Sequence, residues 1–239
     1  MPPGRPAGTG PALQPPDAPS VSTVAANSAV RTNAPAPRPL QCVLGRGRTP
    51  TGSAQTGRWG FQRQRAGAID AEAGVQPKFL PKLKPWLRAG FTWGSGDGNP
   101  KDNTHRTFFQ LLPTPRPYAR FPFYNMMNNE DAFGALILRP HTKVTVTSEY
   151  HSLRLTDGND FWYSGGGVFQ PWTFGYSGRS TSGRRSLGNL YDTSLEYRMN
   201  RKLTITAYYG YTQGLAAMKQ IYPQGKNGEF GYLEGLYRF

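Results

Sequence analysis

Few residue types in this sequence are placed to do chemistry. Cys42 is the only cysteine, which rules out an intrachain disulfide or a thiolate metal cluster. The histidines His105, His141 and His151 show no zinc-ligand spacing. The run Asp97-Gly98-Asn99-Pro100-Lys101-Asp102-Asn103 gathers cation-type donors, yet it lacks calcium-loop spacing and a closing Glu and reads as a polar turn. His151 is next to Ser152, but neighbours on a strand point to opposite faces, so the two cannot act as base and nucleophile together. No catalytic site, metal or cofactor is expected. Leu40-Gln41-Cys42 faintly resembles a lipoprotein cleavage site, but only Ala/Pro/Arg precedes it, with no apolar run. What remains is arginine. The chain holds 28 Lys and Arg against 14 Asp and Glu, a formal charge of +14. Such an excess favours phosphates, nucleic acid or polyanionic sugar as partners, and the planar guanidinium suits carboxylates because it bonds both oxygens.

Where the arginines point depends on the elements that carry them. No aromatic residue precedes Trp59, whereas aromatics are dense from Phe79 to Phe239. Residues 1–58 are rich in Pro, Ala, Gly, Ser, Thr and Arg. They offer too little apolar surface to offset ordering entropy and are expected to lack regular structure. The short Gly45-Arg46-Gly47-Arg48 tract there suits a solvated tail better than an RNA contact. From about residue 66 the pattern changes to short alternating segments. In 203–212, Leu203, Ile205, Ala207, Tyr209 and Tyr211 share one face, and Thr204, Thr206, Tyr208, Gly210 and Thr212 the other. Segments 69–76, 86–91, 144–151, 190–198 and 231–239 alternate likewise, while 132–138 is apolar on both faces, making seven expected strands. No apolar run reaches the roughly 18 residues of a membrane-spanning helix.

The connections define the architecture. Short ones at 77–83, 139–143 and 199–202 alternate with long ones at 93–130, 154–188 and 213–228. Tight turns at one end and long loops at the other mark an antiparallel transmembrane β-barrel. A soluble sandwich has no reason to keep its long loops on one side. If the C-terminus is periplasmic, the turns are periplasmic and the long loops face outward. The closing Tyr237-Arg238-Phe239 looks like the C-terminal strand recognised by barrel-assembly machinery. Tyr237 and Phe239 are expected to face lipid, with Glu234 and Arg238 toward the lumen. The same parity turns Arg88 and Arg198 inward beside Asp70, Glu72, Glu149, Asp192, Glu196 and Glu234. Two roles stay open for these arginines: cross-strand ion pairs, or contact with an anionic solute.

Four stretches carry a family resemblance: 107–133 (TFFQLLPTPRPYARFPFYNMMNNEDAF), 136–141 (LILRPH), 159–179 (NDFWYSGGGVFQPWTFGYSGR) and 228–239 (GEFGYLEGLYRF). They resemble the alginate export family, over about residues 66–239. The resemblance implies a porin-like channel in the cell outer membrane, not an enzyme, that passes an anionic polysaccharide, a polyuronate, out of the cell. Its surroundings would be outer-membrane lipid and lipopolysaccharide, and no nucleic-acid partner is expected. Arg116 and Arg120 lie in the loop most like the family, among prolines that stiffen it, and could fold back into the pore as a constriction. With Arg88, Arg198 and Arg238 they make five candidate lumen or vestibule residues. The remaining loop cations, among them Arg106, Arg154, Arg179, Arg184, Arg185, Lys219 and Lys226, would form a basic vestibule or meet lipopolysaccharide phosphates.

Seven strands are too few for a barrel of that size, and single-chain bacterial barrels have even strand numbers. Met1-Pro-Pro-Gly opens no apolar signal core. The expected organisation is therefore a segment 1–58 unlike the family, then 66–239 as the C-terminal part of a truncated barrel. A general anion-preferring porin is the alternative on the same fold. A soluble nucleic-acid-binding protein is disfavoured, since outward Leu, Ile and Tyr would be insoluble on a free surface.

Overall fold

Alternation at every second residue gives a strand one apolar and one polar face, and backbone pairing along the edges aligns these into the two continuous faces of a sheet. The computed structural model describes residues 21–27, 50–59, 61–78, 80–110, 119–122, 124–165 and 176–239. Its elements are β1 (Val21–Asn27), β2 (Thr51–Trp59), β3 (Gln62–Val75), β4 (Trp86–Gly94), β5 (Thr104–His105), β6 (Asn129–His141), β7 (Val144–Leu155), β8 (Trp162–Gly165), β9 (Tyr176–Arg179), β10 (Ser186–Arg198), β11 (Leu203–Gly214), the helix α1 (Ala216–Ile221) and β12 (Gly228–Tyr237). The main sheet runs β1-β2-β3-β4-β6-β7-β10-β11-β12, antiparallel throughout. β5 adds a short parallel bridge to the start of β3, and β8 pairs with β9 apart from the sheet. Among the described residues no register joins β1 to β12, so the sheet as described is open. No described helix is long and apolar enough to cross a membrane.

All seven expected strands are present, as β3, β4, β6, β7, β10, β11 and β12. The expectation that regular structure is lacking through residue 58 is corrected where the chain is described. β2 pairs with β3 from Thr51↔Asp70 to Trp59↔Gln62, and β1 pairs with β2 in turn. The reason is physical. β2 alternates Thr, Ser, Gln and Gly with other small residues, so it carries no apolar stripe, and backbone pairing holds it instead. The remaining positions of 1–58 lie outside the described residues.

Register makes the two faces explicit. One row runs Gly231, Tyr209, Thr193, Ser148, Leu136, Leu87 and Val75 across the strands, and the next runs Tyr211, Tyr191, Tyr150, Gly134, Ala89 and Ala73. This face is apolar and uncovered: Leu233 is 77% exposed, Tyr209 54% and Leu195 46%. The opposite face reads Phe230, Gly210, Asp192, Glu149, Ala135 and Arg88, with Leu190, His151, Phe133 and Glu72 in the adjoining row. The ambiguous strand 132–138 resolves in the same way, with Ala135 and Ile137 buried and Ala132 and Leu136 exposed.

From β3 onward the connections keep to the expected ends. Turns at 76–85, 142–143 and 199–202 lie at one end, and long connections at 95–128, 156–185 and 215–227 at the other. Upstream the rule reverses. The two-residue link between β2 and β3 falls at the long-loop end, and the link between β1 and β2 falls at the turn end. The core lies at the long-loop end. Phe108, Phe121, Tyr124 and Met126 of the first long connection, Trp162 of the second, and Ala217 and Met218 of α1 pack onto Ala68, Leu153, Leu155, Leu187 and Leu190. Two glycines make room for this cap. A Cβ on Gly94 would meet the Met126 carbonyl oxygen at 1.8 Å, and one on Gly214 the Lys226 carbonyl oxygen at 2.1 Å.

Candidate functional site

The polar face and the cap folded onto it form the site. Its floor is set by the register of β4, β6, β7, β10 and β11. Arg88 on β4 bonds the Glu72 carboxylate on β3 through Nη2, and both side chains are largely buried. On β7, His151 is fully buried and its Nδ1 lies 2.7 Å from Asp131 Oδ2 on β6, with Phe133 stacked on the imidazole at 5.7 Å. On β11, the Tyr208 hydroxyl donates to Asp192 Oδ2 at 3.0 Å, and its ring stacks on Tyr232 at 4.9 Å. Ionisable groups kept from water in this way are held in place by one another, because an unpaired buried charge is far costlier than a bonded one.

Strand side chains also grip the cap. Gln55 on β2 donates Nε2 to the Phe109 carbonyl at 2.5 Å and accepts the Phe109 N–H at 2.8 Å. Gln64 on β3 donates to the Thr107 carbonyl at 2.9 Å. The Tyr124 hydroxyl meets Thr92 Oγ1 at 2.8 Å, which ties the inward-folded segment to the polar face of β4. The first and second long connections are joined through Asp160, which accepts the Asp97 N–H at 2.9 Å, the Thr107 hydroxyl at 2.6 Å and the Tyr163 hydroxyl at 2.7 Å. Burial, reinforced by that carboxylate, pushes the Tyr163 phenol well above its ordinary range, and burial raises Tyr176 too. Beside them, an open groove is lined by Phe121, Trp162, Tyr222 and Lys226, among others.

The acidic run at 97–103 is neutralised from within. Arg106 Nη1 lies 2.8 Å from Asp102 Oδ2 and 3.6 Å from Asp97 Oδ1. The Thr104 N–H and then Arg106 hold the Asp102 carboxyl below its usual range. His105, stacked on Phe109 at 5.3 Å, is held below its ordinary pKa by burial, against the opposing pull of Asp97 and Asp160. His151 and Ser152 lie on opposite faces, one buried and one exposed.

The family model for alginate export matches residues 51–220, well over half the chain. The chain belongs to the alginate export family. No curated protein matches it. The match begins at β2, upstream of the expected start at 66, and stops short of β12. Alginate export proteins are outer-membrane channels, and the nearly all-β architecture of this member agrees with that class.

Of the five arginines expected to matter in this alginate export family member, Arg88 is on the polar face but committed to Glu72. Arg120 lies on the inward-folded segment, half-buried, and its charge acts on both Glu149 and Asp192. Arg88 also acts on Glu149, so these two arginines converge. Arg198 is exposed at the turn end, with Nη2 4.0 Å from Glu196 Oε1. Arg238 is exposed there as well, its N–H donating to the Lys202 carbonyl at 2.8 Å. Arg116 lies outside the described residues. Among the loop cations, Arg154 and Arg185 converge on Glu130, and Arg184 Nη1 donates to Gln220 at 2.7 Å. The residues not foreseen are Gln55, Asp131 and Tyr124. Each owes its place to a partner at least 20 residues away in sequence, which no local spacing announces.

Proposed function

We propose that this sheet is wall from an outer-membrane export channel for an anionic polyuronate, with the apolar face against lipid and the polar face toward the lumen. The observation that carries the reading is the continuous split between the faces. Exposed Leu, Ile, Tyr and Phe run across the strands on one side, and buried ionisable groups on the other. An uncovered apolar surface of that extent is stable in hydrocarbon and not in water. Tyr150 and Tyr191, 5.0 Å apart, lie in the row toward the loops, and Tyr197 and Tyr237 lie toward the turns, a placement suited to the two interfaces. The long connections then fold inward as a constriction, and their exposed arginines face the side from which lipopolysaccharide is reached.

The polar face works by balance rather than by bare positive charge. Arg88 is balanced by Glu72, while Asp131 and Asp192 are held by His151 and Tyr208, so no single site on the face holds a polyanion tightly. The test is single-channel recording of the chain in planar bilayers with added oligouronate. The reading expects anion-preferring conductance that the oligouronate blocks. Conductance indifferent to the oligouronate would favour a general anion porin, and a cation-preferring conductance would remove the polyuronate reading.

A further inference from the structure

We infer that Glu149, His151 and Asp192 form a binding site for a divalent transition metal of the zinc type. One ring nitrogen of His151 and a carboxylate oxygen from each acid lie within 4.8 Å of one another. Register enforces this. Asp192 on β10 is the pairing partner of Glu149 on β7, and His151 stands two residues further along β7 on the same face. A metal about 2.0–2.2 Å from each donor holds donors some 3–4 Å apart, so the side chains close on an ion by small rotations without backbone movement.

Three further observations point to a ligand. First, His151 is fully buried, and its Nε2 has no hydrogen-bond partner. Buried polar atoms are normally satisfied, so an imidazole nitrogen left over in a cluster of acids is an unfilled ligand position. Second, the other nitrogen is already held as metal-bound histidines are held. Nδ1 faces the Asp131 carboxylate, so that in the neutral ring, the form that binds metal, the lone pair sits on Nε2. Tyr208 orients Asp192 in the same manner through its hydroxyl. Third, Glu149 makes no hydrogen bond or ion pair among the described residues although it faces Asp192 across the pairing. Like charges directly opposite on neighbouring strands repel. Arg88, whose charge acts on Glu149 from the same face, is committed to Glu72, and Arg120 acts on the pair without an ion-pair contact. A dication between the carboxylates removes the repulsion and satisfies Nε2 together.

The donor set selects the ion. One imidazole with two carboxylates suits Zn²⁺, Co²⁺, Mn²⁺ or Fe²⁺, whereas Ca²⁺ and Mg²⁺ prefer oxygen-only shells. Three protein donors leave a position open, and the assignment does not depend on what passes along the polar face.

The test is Co²⁺ titration of the metal-stripped full chain folded in detergent micelles, followed by the d–d absorption of the bound ion and by competition with Zn²⁺. The expected result is one Co²⁺ per chain, displaced by Zn²⁺. Glu149→Gln keeps the side-chain shape and should weaken binding by about tenfold or more, and Asp131→Asn by about 10- to 100-fold, with unchanged far-ultraviolet circular dichroism. His105→Gln and His141→Gln should leave binding as it was. The assignment is overturned if the chain takes up no Co²⁺ at equimolar metal, if Glu149→Gln and Asp131→Asn bind as tightly as the parent, or if binding is lost with His105 or His141.

Discussion

Placing arginine on the apolar face should be far costlier than placing it one strand away on the polar face. Tyr191 and Tyr197 bracket the apolar band on β10. Six residues at about 3.3 Å each span roughly 20 Å along the strand, or about 15 Å across the membrane at a tilt near 40°. Leu195 falls inside that bracket, within a few ångströms of the middle of a band about 25 Å tall. Leu195→Arg should then cost about 2–4 kcal/mol, a roughly thirty- to several-hundred-fold shift in the folding equilibrium at about 1.4 kcal/mol per tenfold. Thr206→Arg is the matched control. It lies on the polar face of β11, paired in register with Glu196 and Glu234, so arginine there gains two acidic neighbours. Its effect should stay within about 0.5 kcal/mol or be slightly stabilising. Guanidinium unfolding of the chain folded into thin phospholipid vesicles measures both. Equal costs for the two substitutions would refute the assignment of faces, as would a fully folded Leu195→Arg chain in detergent-free buffer.

Gly94→Ala should destabilise the inward-folded segment by about 1–3 kcal/mol, because its Cβ would collide with the Met126 carbonyl, whereas Gly134→Ala, with nothing within 4 Å, should be neutral; limited proteolysis within 95–128 separates the two. Arg88→Ala removes a largely buried guanidinium–carboxylate bond and should cost on the order of 1–3 kcal/mol, while Arg198→Ala, exposed and 4.0 Å from its acid, should change stability by less than about 0.5 kcal/mol; denaturant midpoints that move equally would count against the pairing. Since burial depresses the His105 pKa, the unfolded chain takes up the proton first. The cap is therefore most stable above about pH 6.5 and loosens as pH falls below it. Asp102, also depressed, acts in the same sense only at lower pH, stabilising above its unfolded value near 3.9 and losing that contribution as pH falls through its folded value. Amide protection factors across 95–110, taken relative to the intrinsic exchange rate at each pH, should fall between pH 7 and 5 in the parent and lose that dependence in His105→Gln. A parent more protected at pH 5 would contradict the sign.

Much of this was legible in residue order, for a reason that also sets the limit. Parity along a strand is a local property. The alternation in 86–91, 144–151 and 190–198 therefore predicted which side chains share a face, including Arg88, Glu149 and Asp192. β2 was not legible because its pairing rests on backbone and on Gln55, whose partner Phe109 lies 54 positions away. The reversal of turn and loop between β2 and β3 went unseen for the same reason. Histidine spacing suggested no metal, because ligand-spacing rules assume donors on one element. Here Glu149 and Asp192 come from two strands and meet only through register. An inward fold of the first long loop was one option that its prolines and arginines suggested. Local pattern could not decide it for 119–127, since the close approach depends on Gly94 admitting the Met126 carbonyl.

The cap's fastenings also set an order of events in folding. Neighbouring strands pair through short turns or through connections that need no final shape, so the wall can zip hairpin by hairpin. The cap cannot. Its anchors join β2 to residue 109, β4 to residue 124 and the first long connection to Asp160, and its core includes α1, just ahead of the last strand. Contacts so distant along the chain are entropically expensive to bring together and form late. The interior therefore stays open to water until the wall is nearly complete, and the charged groups of the polar face lose their solvent only when their partners are already in place.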